Sequence, residues 1–180
     1  VIYGIGVNNG FVTAEESVES AWAQVENQYQ RRADLIPNLV NTVQGAADFE
    51  QETLQSVIEA RSRATSITLQ ADDLNDPAKI QQFQAAQEQL SGALSRLLVS
   101  VERYPELKAN ANFRDLQAQL EGTENRIATE RKRFNDTARQ YNTDIRKFPG
   151  SLIASITGFD RKAYFEANEG AEQPPLVDFE

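Results

Sequence analysis

Phe113, Leu120, Ile127, Phe134, Tyr141 and Phe148 follow one another at intervals of seven. Large apolar residues at that interval fit a helix, because an odd step along a strand would turn alternate members to opposite faces. The run predicts a single helix roughly 50 Å long at about 1.5 Å rise per residue, with one continuous buried seam. Its companion stripe reads Leu116, Thr123, Glu130 or Arg131, Ala138 and Ile145. That stripe swings by one residue and is polar at its centre. A straight helix drifting against a heptad repeat does this, and so does a helix whose two ends pack on different neighbours.

Three more helices precede it. Thr13-Ala14-Glu15-Glu16 has the form of a capping box, followed by Val18, Ala21, Trp22, Val25 and Tyr29 at helical spacing. Asp34 then stands three residues before Pro37, where it can cap a new helix that holds the proline in its first turn. A single helix kinked at Pro37 is the alternative, and the cap favours the break. Residues 35–68 carry Ile36, Leu39, Val40, Val43, Leu54 and Val57. Ile80, Phe83, Gln87, Leu90, Leu94, Leu97, Val101 and Tyr104 mark a third helix after Asn75-Asp76-Pro77, with Gln87 the one polar break in the stripe. Tyr104-Pro105 and Phe148-Pro149-Gly150 act as stops.

The expected fold is therefore all-α: an antiparallel, up-and-down bundle of long helices over about 13–33, 35–68, 77–103 and 111–147. Residues 1–12 form the end of a membrane anchor or an arm packed on the domain. Residues 151–180 form a short helix and an extended tail held on the bundle by Tyr164 and Phe165.

Composition narrows the chemistry. The 180 residues contain no Cys, His or Met and carry a net charge of −9. Thiolate catalysis, histidine general bases, the Ser-His triad and histidine-ligated metals are excluded. An acidic chain argues against a nucleic-acid partner, and Arg131-Lys132-Arg133 sits among Glu121, Glu124 and Glu130 as a solvated, ion-paired helix face. The missing Met also means that Val1 is not a translation start, and Val1–Val7 reads as the last turns of an apolar segment.

Gln30-Arg31-Arg32-Ala33-Asp34-Leu35-Ile36-Pro37-Asn38-Leu39-Val40 resembles the signature of the LemA family. So do Val101–Asn110 and Gln119–Ile127, and Phe134-Asn135, Tyr141-Asn142, Phe148-Pro149, Gly158-Phe159, Tyr164-Phe165 and Val177-Asp178-Phe179 continue in the same order. The resemblance implies a bacterial protein with one N-terminal transmembrane segment, an antiparallel helical bundle and no assigned enzymatic activity. One branch of that family is associated with magnetosome membranes. Gly45-Ala46-Ala47-Asp48-Phe49 departs from the family, which commonly has a Lys before the Gly and a Tyr-Ala-x-His run there. A role resting on that His does not carry over.

No residue stands out as catalytic, and no cofactor or metal is expected. Asp72, Asp73 and Asp76 are the best oxygen ligands for a hard cation, but they lack a calcium loop's glycine and terminal Glu and read better as a capping loop. The polar run Glu121-Gly122-Thr123-Glu124-Asn125-Arg126 suggests either an internal network that fixes helix register or the floor of a pocket. Arg61, Arg96 and Glu102 are the expected network partners of Glu121, Asn125 and Arg126. Gly122 in mid-helix suggests close approach by a neighbour, and Asp34 with Arg31 or Arg32 suggests a clamp at a hinge around Pro37. The functional expectation is a non-enzymatic, membrane-tethered bundle of the cell envelope that binds protein partners or copies of itself. A small-molecule or lipid binding module is the alternative. Glu15, Glu16 and Glu19 after the apolar start favour an extracytoplasmic bundle.

Overall fold

The computed structural model describes residues 2–46 and 48–166. Helix α1 spans Ile2–Gln44, α2 Gln51–Ser66, α3 Pro77–Val101, α4 Pro105–Ala109, α5 Ala111–Asp144 and α6 Gly150–Thr157, with a 3₁₀ turn at Ala71–Asn75. α1 and α5 form the longest pairing. The α2–α3 hairpin closes an up-and-down four-helix bundle around the C-terminal half of α1. Around its N-terminal half that hairpin gives way to α6 and to an extended strap over residues 159–166.

α1 corrects two expectations. It runs unbroken past Thr13, whose hydroxyl donates to the Asn9 carbonyl (3.0 Å) from within the helix, so Thr13 caps nothing. It also continues through Pro37, and Asp34 accepts from Gln30 Nε2 at 2.8 Å along the same helix. An interior proline orphans the carbonyl four residues earlier and costs about 3 kcal/mol in an isolated helix. Here that carbonyl belongs to Ala33, and Arg61 Nε on α2 donates to it at 2.8 Å. The chain breaks later, after Gln44, where Asp48 takes a left-handed φ of 66°.

The other boundaries follow local chemistry. Asp76 caps α3 by accepting from Ala78 N (2.9 Å), with Pro77 in the first turn. Asn110 caps α5 by accepting from Phe113 N at 3.1 Å. Gly158, at φ 79°, closes α6 in the left-handed conformation glycine tolerates best. α5 buries Phe113, Leu120, Ile127, Phe134 and Tyr141 as its heptads require, but Phe148 lies beyond its end and is 81% exposed. Ile145, one 3.6-period step after Tyr141, is buried instead.

The buried side chains form two cores. The upper one gathers Ile36, Leu39, Val43, Leu54, Leu90, Leu97, Phe113 and Leu120. The lower one gathers Phe11, Val18, Trp22, Tyr29, Phe83, Ile127, Phe134, Tyr141 and Phe165. Phe165 brings the strap into the lower core, stacked on Trp22 at 5.7 Å and edge-on to Phe134 at 5.6 Å. The expected aromatic anchoring of the tail is thus present through residue 166; Gly170, Pro174, Pro175 and the terminal Val177-Asp178-Phe179 lie outside the described residues.

Candidate functional site

Between the two cores lies a belt of polar residues, each at a position where its helix would otherwise bury an apolar one. On α1 the stripe reads Val25, Tyr29, Arg32, Ile36 and Leu39, and Arg32 is 1% exposed. On α3 Gln87 stands between Phe83 and Leu90, and on α5 Glu124 stands between Leu120 and Ile127. Arg32 Nη1 donates to Ser91 Oγ (2.6 Å) and to Glu124 Oε1 (2.8 Å). Its Nη2 donates to the Gln87 carbonyl (3.0 Å) and to Gln87 Oε1 (2.6 Å). The guanidinium also lies 5.1 Å from the Tyr29 ring centroid. Gln87 Nε2 reaches the Ala64 carbonyl on α2 at 3.4 Å, so all four bundle helices meet at this level. A buried cation of this kind is tolerated because it is both paired and hydrogen-bonded.

The belt opens to solvent through a cleft of about 610 Å³ bordered by Arg32, Gln84, Gln87, Ser91, Glu124 and Arg131. Arg32 Nε is buried there without a partner. Burial pushes the Tyr29 phenol above its ordinary range, and the charges of Arg131 and Arg32 oppose this only in part. The same ordering holds lower in the bundle. Burial first, then the negative charges of Glu15 and Asp160, keeps Tyr141 neutral, while burial of Glu26 raises its carboxyl against the weaker influence of the nearby Trp22 indole. Tyr141 donates from its neutral phenol to the Asp160 carbonyl at 3.0 Å.

Three side-chain amides clasp the strap. Asn142 donates to the Lys162 carbonyl (2.9 Å) and accepts from its N–H (2.8 Å). Asn135 does the same to Phe165 at 2.9 Å in both directions, and Gln84 to Glu166 at 3.0 Å in both. Each amide imitates one rung of a β ladder, which satisfies an extended backbone with no strand beside it among the described residues. Lys162, 4% exposed, pairs with Glu15 on α1 at 2.7 Å.

The residues expected to form one internal network do not meet. Glu121, Asn125, Arg126, Arg96 and Glu102 are exposed. Glu102 pairs with Lys108, Glu121 accepts from Gln117 Nε2, and Arg61 serves the Ala33 carbonyl. Glu121 and Asn125 border only a surface groove between α3 and α5. The network exists one helical step away, on Glu124, and its cation is Arg32, expected as a hinge clamp beside Asp34. A Cβ at Gly122 would meet nothing within 4 Å, so no helix approaches it; the tight glycine is Gly150, where a Cβ would lie 3.0 Å from Phe11 Cζ. Asp73 pairs with Lys79 and accepts from Gln70 N at 2.8 Å, while Asp76 caps α3, so the acidic loop is a capping loop. Two signals pointed to the true belt: Arg32 lies on the apolar stripe of α1, and Gln87 interrupts that of α3.

Fold and site together define a class: an all-α antiparallel bundle whose long α1–α5 pair is keyed at mid-height by a buried arginine. The LemA family profile matches residues 21–179, and the chain belongs to the LemA family. It is 28% identical to magnetosome protein MamQ 2 of Paramagnetospirillum magneticum and 29% identical to magnetosome protein MamQ of Magnetospirillum gryphiswaldense. Both alignments span 94% of this chain and 68% of the relative. Protein LemA of Metamycoplasma hominis is 22% identical over 92% of this chain and 71% of its own length.

Proposed function

We propose that this protein is a non-enzymatic, membrane-tethered helical bundle of the bacterial cell envelope that serves as a scaffold or protein-interaction module. The observation that carries this reading is the N-terminal end of α1. Residues 1–14 contain no charged side chain, Tyr3 and Ile5 are exposed, and a Cβ at Gly4, Gly6 or Gly10 would meet nothing within 4 Å. From Ile2 onward it is an uncharged helix, with Tyr3 and Ile5 turned to solvent and Phe11 packed on the body, in keeping with the lower end of a single-pass anchor. No helix among the described residues is long and apolar enough to cross a membrane. The relatives named for the magnetosome support a role at a bacterial membrane, and the acids at Glu15, Glu16 and Glu19 favour an extracytoplasmic bundle. Arg32, Gln87, Ser91 and Glu124 hydrogen-bond one another, which supports a structural role for the belt in this reading. Membrane fractionation tests the tether. The full protein should stay with the membrane through a high-pH wash and be digested by protease added to spheroplasts. Release by the wash sinks the tether, and protection from protease sinks the orientation. Light scattering of residues 1–180 with and without residues 1–10 then separates self-association from a need for another partner.

A second reading takes the cleft between Arg32 and Arg131 as a site for a small anionic molecule, on the strength of the unpartnered, buried Arg32 Nε. A thermal shift with small dicarboxylates, lost in Arg131→Ala, supports it; no shift at millimolar concentration removes it.

A further inference from the structure

Eight large apolar side chains are exposed among the described residues, and six of them, Tyr3, Ile5, Val12, Phe148, Leu152 and Ile156, lie at one end of the molecule. Phe11 joins their two sources. Its ring meets Phe159 at 5.5 Å and lies against Gly150, seating α6 on the first turns of α1. α6 buries Gly150 and Ala154 on that side and turns Leu152 and Ile156, one helical turn apart, outward with Phe148 beside them. The acids at this end, Glu15, Asp144 and Asp160, sit at its margins. Residues 1–14 and 145–159 hold no acid, and their only charges are Arg146 and Lys147, both exposed, in a chain of net charge −9.

We propose that this end of the bundle is a lipid-contacting foot, in which Phe148, Leu152 and Ile156 insert into the interface of an anionic membrane while Arg146 and Lys147 meet its headgroups. The inference deepens the membrane-tethered reading and rests on it. An apolar helix face flanked by bases fits that occupant, because its side chains gain from leaving water and its cations from a negative surface. A second copy of this chain could pair the bases of one foot with Asp144 or Asp160 of the other, but the face adjoins the uncharged first turns of α1 that lead to the proposed anchor, which favours the membrane. The geometry also suits a tether: α6 lies beside the same turns of α1 that lead to the proposed anchor.

The absence of Cys and His makes a clean test available. Residues 1–180 with an N-terminal hexahistidine tag are held on vesicles containing a nickel-chelating lipid, so that the tether is supplied and its natural counterpart is not at issue. An environment-sensitive fluorophore is placed on a single cysteine at Leu152→Cys, Ile156→Cys or, at the opposite end of the bundle, Val99→Cys. The labels at 152 and 156 should shift to the blue and be quenched by lipid-borne nitroxide, more on phosphatidylglycerol than on phosphatidylcholine vesicles, while the label at 99 stays water-like. Without the tag, Leu152→Ser with Ile156→Ser should bind anionic vesicles at least about tenfold less than the unaltered chain. Water-like labels at 152 and 156 on tethered vesicles overturn the foot while leaving the tether to the fractionation experiment. Labels already blue-shifted without vesicles also overturn it, because another part of the chain or a second copy would then cover the face.

Discussion

Gly122 shows how little a residue's type says about its surroundings. In mid-helix, glycine costs backbone entropy, and the usual compensation is close packing. Gly122 has none, being exposed with open space where its Cβ would be. Gly122→Ala is therefore expected to stabilise the protein by about 0.5–1 kcal/mol. A denaturant midpoint that falls would reveal a contact there. Gly150 differs: the added methyl at 3.0 Å from Phe11 would push α6 away from α1. Glu26 gives the pH-dependent case. Its folded pKa is raised, so its contribution favours folding while it is protonated and is lost as pH rises through the folded value. Glu26→Gln should raise the melting temperature at pH 7, through a gain of at most about 0.5 kcal/mol for so exposed a site, and change it little below the ordinary carboxylate range.

At the scale of elements, α1 is one helix because α2 repairs it. Pro37 removes a donor, and Arg61 replaces it at the Ala33 carbonyl from outside the helix. The two residues should couple. Arg61→Ala is expected to cost about 1–3 kcal/mol by leaving a carbonyl unpaired. In a Pro37→Ala background the restored N–H serves that carbonyl, and the same change should cost at least about 1 kcal/mol less. A double-mutant cycle with no coupling would show that Arg61 acts only as packing. The 3.6-residue stripe of α1 was legible from sequence on both sides of Pro37. The donor that bridges it was not, because Arg61 lies on another helix 28 positions away.

Across the whole molecule, the Arg32 belt divides one bundle into two cores packed by different neighbours. The upper core is closed by α2 and α3, the lower by α6 and the strap. This division explains why the second stripe of α5 swings and turns polar near its middle. The belt fixes the heights of α1, α3 and α5, since sliding any of them by a turn would bury Arg32 without Glu124 or Gln87. Glu124→Ala should destabilise by about 2 kcal/mol, less than the 3–5 kcal/mol of a fully buried pair, because Glu124 is 41% exposed. Arg32→Met with Glu124→Met should recover most of that loss. A double variant no more stable than Glu124→Ala would mean that the apolar pair cannot fill the space. Ile127→Glu should prevent folding, whereas Lys132→Glu should leave the melt unchanged, since only the first enters the lower core.

Helix content, the α5 seam, the stops at Tyr104-Pro105 and after α5, the family and the lack of thiol or imidazole chemistry were all determined by the sequence, because periodicity, breakers and missing residue types act locally. Arg32 and Gln87 were visible there as polar residues on apolar stripes. Their partnership was not, because periodicity gives the face a residue occupies but not the height at which a neighbouring helix meets it. The tertiary structure decided that Glu124 and not Glu121 completes the belt, that Asn135, Asn142 and Gln84 clasp a strap, and that α6 sits on the first turns of α1. In each case the deciding contact joins residues far apart in the chain, where packing and the need to satisfy buried polar groups override local preference.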